Sequence, residues 1–224
     1  MKKSLFATLI LCMIFISMIG GSAFADNDTK LVLDMGILQI ETNYDVHNTI
    51  VSYEESCNKV VAIIRDRETF KIIDKYEQLV IEDPLTQEIN ILRSGYLTVP
   101  LRREYNPTSS NTTTITALIE TKLYKETILG QVVYTLIDVN DYDHYLSGSK
   151  PFELENKYTS IQKQTSSYCD LNITGTMKAT KQQATSAGLS FEFLDGLGFG
   201  MSGESTSPWH ARLAYNGSVR ITVD

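Results

Sequence analysis

Residues 211–223 read Ala-Arg-Leu-Ala-Tyr-Asn-Gly-Ser-Val-Arg-Ile-Thr-Val, and their two-residue rhythm sets the fold class. Ala211, Leu213 and Tyr215 share one face, and Val219, Ile221 and Val223 resume the alternation after a break. The break is Asn216-Gly217, a pair that tolerates the two positive φ angles of a type I′ turn. The spacing therefore predicts a tight antiparallel hairpin here.

The same period runs outward from this stretch. Ile115, Ala117, Ile119, Thr121 and Leu123 fall on one side of Thr112–Leu123, and Val133, Thr135, Ile137 and Val139 alternate within Gln131–Val139. Lys125–Gly130 reads as the loop between them. Upstream, Leu31–Glu41, Thr49–Tyr53, Val60–Arg65 and Phe70–Ile81 are rich in Val, Ile and Tyr, with Asp66–Thr69 as a turn. Phe70, Ile73, Tyr76 and Val80 also fit a helical stripe, but the flanking β context favours a strand. Tyr96–Tyr105, with Pro100 marking an edge or irregularity, and then Ser160–Thr165 and Asp170–Thr180 complete the set. The expectation is an all-β antiparallel sandwich of eight to ten strands, with little or no helix after the leader.

Residues 106–114 are rich in Pro, Thr, Ser and Asn. They read either as a linker between an N-terminal β region (26–105) and a C-terminal sandwich region (115–224), or as a long loop in one sandwich. Residues 185–203 fit two patterns. Leu189, Phe191 and Phe193 alternate like a strand, while Leu189, Phe193 and Leu197 line one side of a helix. Gly196, Gly198 and Gly200 then alternate with Leu197, Phe199 and Met201. This is either a core strand with a glycine face or a membrane-inserting strand. With its Thr/Ser-rich strand pair, glycine-rich Ala187–Gly203 and aromatic Trp209–Tyr215, the C-terminal half resembles secreted β-proteins of Gram-positive bacteria. The resemblance implies no activity.

The first 25 residues carry the marks of a cleavable bacterial export signal. Lys2 and Lys3 precede an apolar run from Leu5 to Ile19, and Ala23-Phe24-Ala25 offers small residues at a cut between Ala25 and Asp26. Cys12 lies in mid-run after Leu9-Ile10-Leu11, so it does not read as a lipidation site. Removal of residues 1–25 from the 224 leaves 199 and takes away two lysines, moving the net charge from −7 to −9. No basic cluster larger than Arg102-Arg103 occurs, which argues against nucleic acid and anionic lipid as direct partners. Cys57 and Cys169 survive cleavage. In an exported chain an even count predicts a disulfide, worth about 4–5 kcal/mol for so long a loop in the chain-entropy model.

Chemistry-bearing motifs are weak. Asp138, Asn140, Asp141 and Asp143 supply oxygens within one short stretch and form the calcium candidate, against a bland reading as a solvated turn. No other cofactor motif is present. His47, His144 and His210 lack the close spacing of a zinc helix. Gly200-Met-Ser202-Gly203-Glu204 misses the final glycine of a serine elbow, and Cys57 follows two glutamates that work against a thiolate. Trp209 and Tyr215 are candidates for glycan or polymer binding, with core filling as the alternative reading. The expected role is a non-catalytic binding or structural module outside the membrane, its partner a glycan, cell wall or protein. The alternatives are a membrane-active or self-assembling protein using 185–203, and a hydrolase.

Overall fold

The computed structural model describes residues 29–79, 94–108, 113–147 and 151–223. The export signal, with Ala25 and Asp26, lies outside them. The chain opens with β1 (Lys30–Asp34) and β2 (Leu38–Asp45), then runs through β3 (Thr49–Ser56), β4 (Lys59–Asp66), β5 (Ile72–Leu79), β6 (Gly95–Tyr105), β7 (Thr114–Ile128) and β8 (Gln131–Ser147). After β9 (Glu153–Gln164) and β10 (Tyr168–Thr180) come two single-turn helices, α1 (Lys181–Ser186) and α2 (Phe191–Gly196). The chain ends in β11 (Gly200–Ser202), β12 (His210–Asn216) and β13 (Val219–Val223).

Two antiparallel sheets face each other. Strands β3 to β8 form a six-stranded meander in chain order. The other, seven-stranded sheet takes β1 and β2 from the N-terminus and β9 to β13 from the C-terminus. Both halves of the chain thus contribute to one sandwich. β6 and β7, on either side of 106–114, pair from Gly95↔Lys125 to Tyr105↔Ile115, so that segment joins neighbouring strands. The β5–β6 register stops at Gln78↔Leu101, next to Pro100, which has no N–H to give.

Alternation accounts for the core. Along β10 the inward residues Cys169, Leu171, Ile173, Met177 and Ala179 are buried, and Val219, Ile221 and Val223 continue that layer on β13. Opposite them lie Tyr76, Val99, Leu101, Ala117, Ile119 and Leu123 of the meander. Burying each Val, Leu, Ile or Met side chain among them contributes about 1.5–3 kcal/mol. A second core, around Phe152, Leu194, Phe199 and Trp209, fills the end of the sandwich under the two helices.

The predicted 211–223 hairpin does not form. β12 and β13 do not pair with each other; both lie along the same edge of β10. The partners run Thr180↔His210 to Thr174↔Asn216 and then Leu171↔Val219 to Tyr168↔Thr222 without a change of register. Gly217 N–H bonds Ile173 C=O at 2.8 Å between the two stretches. Asn216-Gly217 is therefore a point within one long strand, and φ at Gly217 is not positive. Its glycine serves the opposite sheet: a Cβ there would lie 2.4 Å from the Tyr105 ring. Arg103 of β6 also donates to the Gly217 carbonyl.

Residues 181–196 form two short helices, and only Gly200–Ser202 of the glycine-rich stretch is a strand. Thr180 and Ser190 cap successive helices through the N–H groups of Gln183 and Phe193. Each helix ends on a glycine with positive φ, Gly188 (74°) and Gly198 (86°). The next residue bonds back, Leu189 N–H to Ala184 C=O at 2.9 Å and Phe199 N–H to Leu194 C=O at 3.1 Å. Both are Schellman ends, so the cap, buried apolar residue, glycine and closing apolar residue recur ten positions apart.

Candidate binding face on the seven-stranded sheet

The outward phase of the long strands is polar, and register sorts it into rows. Lys163 (β9), Asp170 (β10), Arg220 (β13) and Glu41 (β2) are successive cross-strand partners, so charges alternate in sign across four strands. Arg220 grips Asp170 with two nitrogens, at 2.6 and 3.1 Å, and comes within 3.5 Å of Glu41. Lys30 Nζ donates to Glu41 at 2.9 Å. The guanidinium holds the Asp170 carboxyl below the usual carboxylate range and is itself raised by it. On the side of this row toward Tyr168, that ring has Arg220 at 4.8 Å and Lys163 at 5.2 Å.

The neighbouring row is neutral. Ser160 pairs with Asn172 in register, and the Ser218 hydroxyl donates to Asn172 Oδ1 at 2.6 Å. Asn43 donates to the Ser218 carbonyl at 3.4 Å. The two rows line an open groove of about 440 Å³, with Gln162 on its β9 side. Exposed ion pairs of this kind stabilise a fold by about 0–1 kcal/mol each. Their consequence here is positional: in the groove lining Lys30 and Arg220 balance Asp170 and Glu41, while amides and a hydroxyl present donors and acceptors in fixed places.

The residues picked out from the sequence lie elsewhere. Trp209 is 3% exposed and Tyr215 6%, both in the second core, so neither offers a face to a glycan. Trp209 meets Phe191 edge-on at 5.7 Å. Tyr215 lies across Gly175, where a Cβ would stand 2.3 Å from its oxygen, and its hydroxyl is 2.6 Å from His144 Nε2. Burial pushes that hydroxyl up to about 12. The other His144 nitrogen is 2.6 Å from Thr159 Oγ1. His144 is fully buried, and burial lowers its pKa. Both ring nitrogens are engaged within the protein.

The predicted Cys57–Cys169 bridge is absent. Cys57 is exposed in the β3–β4 turn of one sheet, Cys169 is buried in β10 of the other, and both thiols are free. An even count carries no information about proximity. Burial pushes the Cys169 thiol up to about 11. The calcium candidates Asp138, Asn140, Asp141 and Asp143 lie along β8 rather than in a loop. Asp138 accepts from Val139 N–H, Asp143 accepts from Lys157 at 2.6 Å, and among the described residues no three His, Cys, Asp or Glu converge. Ser202 donates to the His210 carbonyl at 3.2 Å. Leu197, Phe199 and Met201 do not form a membrane strand: Leu197 caps α2, Phe199 is 2% exposed, and Met201 lies in β11.

Asp170, Asn172, Ser218 and Arg220 were not singled out in the sequence. Their signal is the polar phase Tyr168-Asp170-Asn172-Thr174 opposite the apolar phase of β10, visible only once the partners of β10 are known. Comparison with protein-family profiles, curated proteins and solved structures finds no match.

Proposed function

We propose that this chain is an exported, non-catalytic binding module whose ligand seats on the outer face of the seven-stranded sheet. Export rests on the leader pattern of residues 1–25, cut between Ala25 and Asp26. The observation that carries the binding reading is the groove where the alternating charge row meets the neutral amide row. Local charge balance disfavours a strongly ionic ligand, while paired donors and acceptors on a rigid sheet suit a neutral, hydroxyl-rich one such as a glycan. Sheets hold such groups in place better than loops do.

The test is a glycan array followed by titration calorimetry on the best binder. Asn172→Ala and Ser218→Ala should each weaken binding about tenfold, the equivalent of one or two hydrogen bonds, and leave the melting temperature within a few degrees. Binding that ignores both substitutions places the site elsewhere, and absence of any glycan binding removes the ligand class.

A further inference from the structure

Among the described residues the β7–β8 hairpin outreaches the sheet it belongs to. β6 stops at Gly95↔Lys125, and beyond it Glu126↔Val133, Thr127↔Val132 and Ile128↔Gln131 pair only with each other among the described residues. The turn is Leu129-Gly130, shorter than the Lys125–Gly130 loop the sequence suggests, with φ of 52° and 83°. Both values are positive, as in a type I′ turn, where Asn, Asp or Gly is the ordinary first residue. This chain has leucine there, in a backbone conformation leucine disfavours, and that leucine is 100% exposed. Ile128 is 47% and Val132 39% exposed beside it. An apolar side chain held in a strained position, with no burial in return, points to a role outside the fold.

Its chemistry is graded along the ribbon. The eleven residues Thr127–Ile137 carry no charge, in a chain of which 21% is charged. Behind the tip, Tyr96 and Tyr124 pair edge-on at 5.4 Å, and Lys122 stands 5.1 Å over Tyr96. Leu129 to Tyr124 is about 16 Å along the strand, the thickness of a headgroup layer plus the upper acyl chains. Back from the apolar end come Glu126 and Lys125, then the tyrosine pair and Lys122, so only the tip enters the acyl region while charged and amphipathic groups lie at headgroup level. A protein partner fits less well: a specific interface buries about 800 Å² per side, and a ribbon end two residues wide offers a fraction of that. The acidic chain disfavours anionic lipid.

We propose that the β7–β8 hairpin tip, led by Ile128 and Leu129, inserts into the interface of a zwitterionic lipid bilayer. Insertion is shallow and reversible, because few side chains enter. It is independent of the ligand groove, so either reading stands if the other fails.

The apolar leader run could itself bind lipid where it is retained, so the readout must be local to the tip. In Leu129→Trp, phosphatidylcholine vesicles should shift the new tryptophan's emission to the blue, and brominated acyl chains should quench it; the buried Trp209 should respond to neither. In the parent chain, Leu129→Asn should lower vesicle affinity at least tenfold while raising the melting temperature, since asparagine suits the turn. Ile128→Thr should lower affinity without that gain. Phosphatidylglycerol vesicles should bind no better than phosphatidylcholine. The proposal is overturned if the tip tryptophan ignores both vesicle types, or if Leu129→Asn binds like the parent. It is also overturned if Leu129→Asn dissociates an oligomer on sizing columns and lipid has no effect.

Discussion

Gly217 is held to glycine by a neighbour in the other sheet. The Tyr105 ring and the Arg103 guanidinium both reach across to it, the ring leaving no space for a methyl and the guanidinium using the carbonyl. Arg103 meanwhile forks onto Asp74 at 2.7–3.2 Å and stacks 4.3 Å from Tyr105. Asp74 and Arg103 are almost fully buried; burial raises the Asp74 carboxyl, and Arg103 opposes that rise. Gly217→Ala should therefore destabilise by about 1–3 kcal/mol, the range for overpacking a filled core. Chemical denaturation measures it, and Tyr105→Leu in the same chain should restore part of the loss through coupling at the contact. Asn216→Ala, with an exposed side chain, should cost less. A true type I′ turn would show the reverse dependence, with Tyr105 irrelevant. Asn-Gly misleads because glycine answers two demands, positive φ and close approach, and only the first is local.

Among the elements, strands were legible and helices were not. Alternation over ten or more residues leaves one phase apolar whatever the partner, so β7, β8 and β10 declare themselves. A single-turn helix has no room for a period. What marks α1 and α2 is their ends, a Thr or Ser cap and a glycine eight residues later, which the alternating glycines of 196–200 obscured. Those glycines separate by experiment. Gly198 has φ 86° and no atom within 4 Å of a notional Cβ, so Gly198→Ala should cost about 1–2 kcal/mol from backbone strain alone. Gly196 is helical and equally open, so Gly196→Ala should stabilise by about 0.5–1 kcal/mol. Opposite signs two residues apart in thermal unfolding confirm the Schellman end; equal signs contradict it. The binding face was hidden for a related reason. A polar outward phase is the default of any sheet, and Asp170 meets Arg220 only because β13 continues β12 along β10.

At the scale of the molecule, the two sheets are joined by polar contacts as well as by the cores, and one of these contacts responds to pH. His144 on β8 ties the meander to Thr159 of β9 and Tyr215 of β12. Burial lowers its pKa from 6.5, helped by Lys157 and opposed by Asp143. The folded state therefore holds the imidazole neutral where the unfolded chain would protonate it. Stability from this contact is complete above about pH 6.5 and is lost as pH falls through the lowered value, because the unfolded chain then binds the extra proton. Melting curves between pH 7.5 and 5 should show that loss. His144→Gln, which keeps one donor and one acceptor, should start about 1–3 kcal/mol less stable for its poorer fit to both hydroxyls. It should then show a flatter profile over the same interval. The Arg103–Gly217 contact supplies the contrast, since a guanidinium raised by its buried carboxylate does not titrate in this range. An Arg103→Met chain leaves the buried Asp74 without its cation, so its loss relative to the parent should be larger at pH 7.5 than at pH 5, the opposite sense to His144. If the acid loss persisted undiminished in His144→Gln, the pH response would belong to some group other than His144.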